Sequence, residues 1–179
     1  MELSFLYAIP RTEFLNSFFL GLTGLVGSYG QFWPLLGVAL LFFKKTRAAG
    51  AAIVLSYVLV FVLGQVALKN LFTRPRPCHV DPGFALLLPA PASSSFPSSH
   101  TGFSFAAATA LFRYYRKAGI AAFLAAALIG FSRLYLFMHY PTDVLAGTLV
   151  GVACGILAVK LCEWVRQRRA ASKAEPGGA

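Results

Sequence analysis

The stretch AGIAAFLAAALIGFSRLYLFMHYPTDVLAGTLVGVACGILAVKLCEWV, residues 118–165, decides what kind of fold this is. Residues 118–138 form one apolar run and 141–165 a second, parted only by a short polar turn at His139 and Tyr140. Each run is near the ~20 residues that a helix needs to cross a bilayer. A backbone in hydrocarbon must satisfy its own hydrogen bonds, so two transmembrane helices joined by a tight turn are expected.

Working outward, the same pattern recurs. Further spans are expected at about 24–43, 48–68 and 97–113, which with the two above gives an all-α, polytopic membrane bundle of five transmembrane helices. A Pro- and Ser-rich loop, 72–99, separates the second span from the third. Residues 3–22 are apolar too, but Arg11, Glu13 and Asn16 fall near their middle. A charge at mid-bilayer costs roughly 2.5–3.5 kcal/mol, so this segment is expected as an interfacial helix, with a sixth span as the alternative. Residues 1–169 are read as a single membrane domain and 170–179 as a disordered cytoplasmic tail.

Composition agrees. Of 179 residues, 58% are hydrophobic and 12% charged, against about 25% charged in soluble domains. The net charge of +10 sits in clusters at 44–47, 113–117 and 166–173, between apolar runs. That is a membrane-loop pattern and not the basic face of a nucleic-acid-binding domain. With five spans the three clusters share one side, which the positive-inside rule makes cytoplasmic, leaving the N-terminus outside. The opposite, extracytoplasmic side then receives the 72–99 loop and the 139–143 turn. Cys78, Cys154 and Cys162 form no CxxC pair, so neither a disulfide framework nor a zinc site is implied. Residues 1–10 lack a basic lead and do not read as a cleaved signal peptide.

Three strings on the outer side carry chemistry: KNLFTRPRP (69–77), PSSH (97–100) and SRLYLFMHYPTD (132–143). Lys69, Arg76 and Arg133 are cations, and the planar fork of Arg matches phosphate oxygens. Pro97 suits the first turn of a helix, where free N–H groups around Ser98, Ser99 and His100 make an anion site. His139 can attack phosphorus through one ring nitrogen while Asp143, four residues on, holds the other. His100 can protonate a leaving oxygen. Singly, each has an ordinary reading: Lys69 and Arg76 as snorkelling interface anchors, His139 as a polar helix end. Arg133, about two turns from the end of an apolar span, is harder to set aside. His79 and Asp81 read as solvated loop residues.

Jointly, the strings resemble the signature of the type 2 phosphatidic acid phosphatase family, whose members include bacterial acid phosphatases and vanadium haloperoxidases. The pattern is Lys, six residues, Arg-Pro; then Pro-Ser-Gly-His; then Ser-Arg, five residues, His, three residues, Asp. Lys69 to Arg76-Pro77 and Ser132-Arg133 to His139 to Asp143 fit in full, and Ser99 stands where glycine is usual. The resemblance covers 69–143. It implies that Lys69, Arg76, Ser98, Ser99 and Arg133 bind phosphate, that His139 forms a phosphohistidine oriented by Asp143, and that His100 is the acid. It implies no cofactor and no metal. The expected substrate is a phosphate or diphosphate lipid headgroup in the bilayer. Undecaprenyl diphosphate is favoured by the compact form; phosphatidylglycerophosphate, phosphatidic acid and lipid A phosphates are alternatives, and a transporter or scaffold that kept the motifs is the non-enzymatic one. No nucleic-acid partner is expected.

Overall fold

The computed structural model describes residues 1–174, which are helical with no strand among them. Two short N-terminal helices, α1 (Glu2–Tyr7) and α2 (Glu13–Val26), are followed by α3 (Phe32–Leu41). Next come α4 (Arg47–Leu71) and the single turn α5 (Pro77–Val80). The outer loop leads into α6 (Ser99–Tyr114), α7 (Arg116–Tyr135) and α8 (Pro141–Ala174). Among the described residues α4, α7 and α8 are long and apolar enough to cross a membrane.

At its centre stands α6, packed against α4, α7 and α8. Its Phe103, Ala106, Ala107, Ala108 and Ala110 are all buried. The helices around it turn apolar side chains outward instead: Val58 and Val62 of α4, Leu124 and Leu128 of α7, and Leu145 and Leu149 of α8 are exposed. A surface that apolar is stable against lipid tails, not water. Small residues bring the inner helices close. A Cβ added at Gly147 would lie 2.4 Å from the Ser98 carbonyl oxygen, and one at Gly151 2.4 Å from that of Gly102. This glycine ridge, continued at Gly155, is the small-xxx-small contact by which membrane helices approach.

The N-terminal third differs from the expectation in two places. The interfacial helix expected at 3–22 is divided: α1 ends at Tyr7 and α2 begins at Glu13. Pro10 lies between them, and Arg11 leaves mid-helix to donate to the carbonyls of Leu6, Ile9 and Tyr135. The span expected at 24–43 is also not one helix. Gly27 and Gly30 adopt positive φ, +79° and +68°, and break the chain between α2 and α3. The break falls on the short polar run Gly27-Ser28-Tyr29-Gly30-Gln31, with Pro34 in the first turn of α3, and the glycines supply the φ values the turn needs. At the other end α8 continues to Ala174, so the tail expected from Ala170 begins as helix; residues 175–179 lie outside those described.

Candidate active site

The three strings meet at one end of the bundle, around a cavity of about 370 Å³ lined in part by Lys69, Arg76, Ser99, His100, Arg133 and His139. Each side chain reaches it from a helix end. Lys69 ends α4, where the preceding segment, Phe61–Leu68, widens into π-helical turns; such turns recur at functional sites. Ser98 caps α6, and Pro97 stands just before the cap, not inside the first turn as expected. Helix α7 stops at Tyr135, and Phe137 takes a left-handed φ of 61°, a conformation that costs a non-glycine residue about 1–2 kcal/mol. The fully buried Phe137 ring stacks on Phe84 with centroids 4.0 Å apart. The turn closes through hydrogen bonds from the Met138 and His139 N–H groups to the Arg133 carbonyl, which turns the His139 ring into the bundle.

His139 is 3% exposed. Its Nε2 is 3.1 Å from Arg76 Nη1. A guanidinium only donates, so Nε2 offers its lone pair and the proton of the neutral ring belongs on Nδ1. Nδ1 faces Asp143 Oδ2 at 3.6 Å and the Ser95 hydroxyl at 3.5 Å. Burial, with the charges of Arg76 and Lys69, pushes His139 down to about 3 in spite of Asp143. The ring is therefore neutral at ordinary pH, the form in which Nε2 is a nucleophile.

Arg76 is fixed by Ser93, Ser94 and the Met138 carbonyl, and Lys69 Nζ donates to the Ser94 carbonyl at 2.7 Å. Burial holds the Arg76 guanidinium below its usual range. Arg133 donates to Ser132 Oγ at 3.0 and 2.9 Å and to the Thr23 hydroxyl. Among the described residues no carboxylate lies within ion-pairing distance of Lys69, Arg76 or Arg133; Asp143 pairs with Arg74 at 2.7 Å. Three buried cations thus surround His139, an arrangement that calls for an anion. The first N–H groups of α6 face no helical acceptor of their own, although that of Ser98 is taken by the Asp143 carbonyl at 3.0 Å.

Several contacts were not foreseen. Ser99 Oγ donates to Gln65 Oε1 at 2.7 Å, so the residue in the usual glycine position is held by the π-helical segment. His100 Nε2 lies 3.0 Å from the Gly27 carbonyl. Asp81, read as a solvated loop residue, accepts from the Tyr7 hydroxyl and the Gly83 N–H. Gln65, polar inside an apolar run, carried a signal in the sequence; the contacts of His100 with Gly27 and of Asp81 with Tyr7 join residues far apart in the chain.

Comparison with known proteins gives the family. The family model described as the PAP2 superfamily matches residues 47–167. The chain is 36% identical over 145 residues to an undecaprenyl-diphosphatase of Sulfolobus acidocaldarius, covering 79% of this chain and 69% of that protein. It is 28% identical over 130 residues to the bacitracin transport permease protein BcrC of Bacillus licheniformis, covering 71% of this chain and 64% of that one, a little under two thirds of its length. The crystal structure of Aquifex aeolicus LpxE superposes with a TM-score of 0.68 at 35% identity, over 84% of this chain and 88% of that chain. That of a transmembrane PAP2 type phosphatidylglycerolphosphate phosphatase from Bacillus subtilis gives 0.68 at 29% identity, over 87% and 80%. By matched family model, shared fold and phosphatase relatives alike, the chain belongs to the PAP2 superfamily and is a membrane phosphatase, a phosphoric ester hydrolase.

Proposed function

We propose that the chain removes the terminal phosphate of a polyprenyl diphosphate, undecaprenyl diphosphate or a close relative, at the extracytoplasmic face of the cytoplasmic membrane. The observation that carries this is the cluster of buried Lys69, Arg76 and Arg133 around a neutral His139, with the nearest carboxylate already paired to Arg74. A concentrated anion such as phosphate balances that charge, and the cavity of about 370 Å³ suits a headgroup whose tail stays in lipid. The relative named undecaprenyl-diphosphatase supports the choice of lipid.

Lys69, Arg76 and Arg133 bind the terminal phosphate, with Ser98, Ser99 and the first N–H groups of α6. Nε2 of His139 attacks phosphorus while the bond to the bridging oxygen breaks. His100, as the imidazolium with Nε2–H on the Gly27 carbonyl, donates its Nδ1 proton to that oxygen, and the prenyl monophosphate leaves. Asp143 steadies the positive charge that grows on the ring. Water then attacks the phosphohistidine, its proton returns to His100, and inorganic phosphate is released. No step calls for a metal ion, and among the described residues no three His, Cys, Asp or Glu side chains cluster in a way that could hold one.

Detergent-purified protein in EDTA, given undecaprenyl diphosphate, phosphatidylglycerophosphate, phosphatidic acid and lipid A, tests the reading. Fastest release is expected from the prenyl diphosphate, with none from His139→Ala and an acid-labile, base-stable phosphoryl label on wild type alone. A preference for phosphatidylglycerophosphate would move the assignment toward the activity named for the Bacillus subtilis structure. Activity lost to EDTA and restored by a divalent ion would overturn the histidine mechanism. Binding without release would favour the transporter reading that the permease-named relative raises.

A further inference from the structure

The carboxylate expected to orient His139 is itself held by a ring of contacts that begins in the first helix. Asp143 is fully buried. Its Oδ2 accepts from the Ser95 hydroxyl at 2.5 Å and the Tyr140 N–H at 2.9 Å, and its Oδ1 from Arg74 Nη1 at 2.7 Å. Arg74 is gripped in turn. Nη1 also donates to the Thr142 hydroxyl at 2.7 Å, Nη2 donates to Glu2 Oε2 at 2.5 Å, and the guanidinium lies over the Tyr140 ring, 4.0 Å from its centroid. The other oxygen of Glu2 accepts from the Thr142 N–H at 3.1 Å and its hydroxyl at 2.8 Å, which closes the ring. Arg74 is not among the residues lining the cavity in front of His139.

Single exposed ion pairs hold geometry weakly. Here one partner has no solvent to retreat to, and the guanidinium is fixed on three sides. Without Arg74, Oδ1 would be a buried acceptor with no donor, and the carboxylate would turn toward the cations of the cavity. Glu2 acts one step further out: it holds the second nitrogen of the Arg74 fork and offsets its charge.

We propose that Arg74, clamped by Glu2, is a positioning residue for the reaction, setting the Asp143 carboxylate against His139, so that helix α1 is part of the working site. This rests on the reading of His139 as nucleophile. The test is a cycle of Arg74→Met and Asp143→Asn, singly and together, with kcat and KM measured in detergent. Displacing a catalytic group by about 1 Å costs on the order of 100-fold, so Arg74→Met should lower kcat by about 10- to 100-fold with KM little changed. Added to Asp143→Asn it should cost less than about 3-fold more, since residues acting as one unit are not additive. Glu2→Gln should show the same pattern at smaller size, and Arg74→Lys should recover part of the loss. If Arg74→Met does not yield a monodisperse protein, Glu2→Gln in both Asp143 backgrounds completes the same cycle. A raised KM with kcat intact would make Arg74 a phosphate ligand, and equal losses in both backgrounds would show that it does not act through Asp143; either overturns the proposal. Turnover surviving in His139→Ala would fail the parent reading instead, and is seen separately.

Discussion

His139 and His100 share one cavity but are held differently, and the difference is measurable. Nε2 of His139 faces Arg76, whereas Nε2–H of His100 donates to the Gly27 carbonyl, so Nδ1 of His100 is the nitrogen that exchanges a proton with the substrate, and it has one to give only when the ring is the imidazolium. A proton donor matters most when the leaving oxygen is basic, and its help is typically worth ~10²–10⁴-fold. A diphosphate expels a phosphate monoester, a better leaving group than the alkoxide expelled from phosphatidic acid. The His100→Ala variant should therefore keep relatively more activity on undecaprenyl diphosphate than on phosphatidic acid, and equal losses would leave His100 a binding residue only. His139 also links stability to pH. Its pKa in the folded chain, about 3, lies below the ordinary value of 6.5, so the folded state binds fewer protons than the unfolded one between those limits. The stabilisation is complete above about 6.5 and drains away as pH falls toward about 3. Melting temperatures between pH 4 and 8 should fall more steeply for wild type than for His139→Gln, and parallel slopes would contradict the buried neutral ring. The strings at 69–77, 97–100 and 132–143 could be read from sequence because their spacing is local. Arg74 sits inside the first string, yet nothing in its spacing announces Glu2 or Asp143, because those contacts exist only once α1 folds over the helix ends.

Among the elements, the pairing of α6 with α8 sets the site. The Asp143 carbonyl accepts from the Ser98 N–H, and one residue ridge lower Gly147 lies under the Ser98 carbonyl. Any side chain at Gly147 or Gly151 wedges the two helices apart and carries the first turn of α6 away from Asp143. Overpacking of this kind typically costs 1–3 kcal/mol. Gly151→Val should lower the melting temperature in detergent and reduce kcat, while Leu149→Val, on the exposed face of the same helix, should change neither much. A Gly151→Val protein as stable and active as wild type would show that the ridge does not set the distance. The repeat Gly147, Gly151, Gly155 stands in the sequence, but its spacing alone does not say which helix it meets, and it went unread. The break at Gly27 and Gly30 was overlooked for a different reason: the polar run 27–31 is short and is averaged away when a span is sought over ~20 residues. The π-helical stretch in α4 carries no local signature either, and its Gln65 meets Ser99 only in the folded bundle.

At the scale of the whole molecule, the charges and the site lie at opposite ends. Tyr115 donates to the Lys45 carbonyl at 2.7 Å and Arg113 pairs with Glu163 at 2.8 Å, so the basic ends of α3, α6 and α8 are gathered together. Helix α4 runs from that end, at Arg47, to Lys69 in the cavity, and α7 runs the same way from Arg116 to Arg133. The all-helical bundle was legible because lipid imposes it; how the first forty residues cross or skirt the bilayer was not, because their helices are short and broken by Pro10 and Gly27. The orientation proposed above rests on charge: if Lys and Arg near span ends stay in the cytoplasm, the phosphate site faces outside. A lipid diphosphate exposed on that face would enter the cavity from the outer leaflet without crossing the membrane. Cysteines placed singly at Lys45 and Ala92, both exposed, should separate the two sides in intact cells. A membrane-impermeant maleimide should label Ala92→Cys directly and Lys45→Cys only after permeabilisation. The native Cys78 and Cys154 are buried and Cys162 half-buried, so an unlabelled wild type sets the baseline. Labelling of both positions from the same side would place the cations and the cavity together and refute the orientation. Labelling of Lys45→Cys alone would invert it and make the enzyme act on lipid phosphates of the inner leaflet.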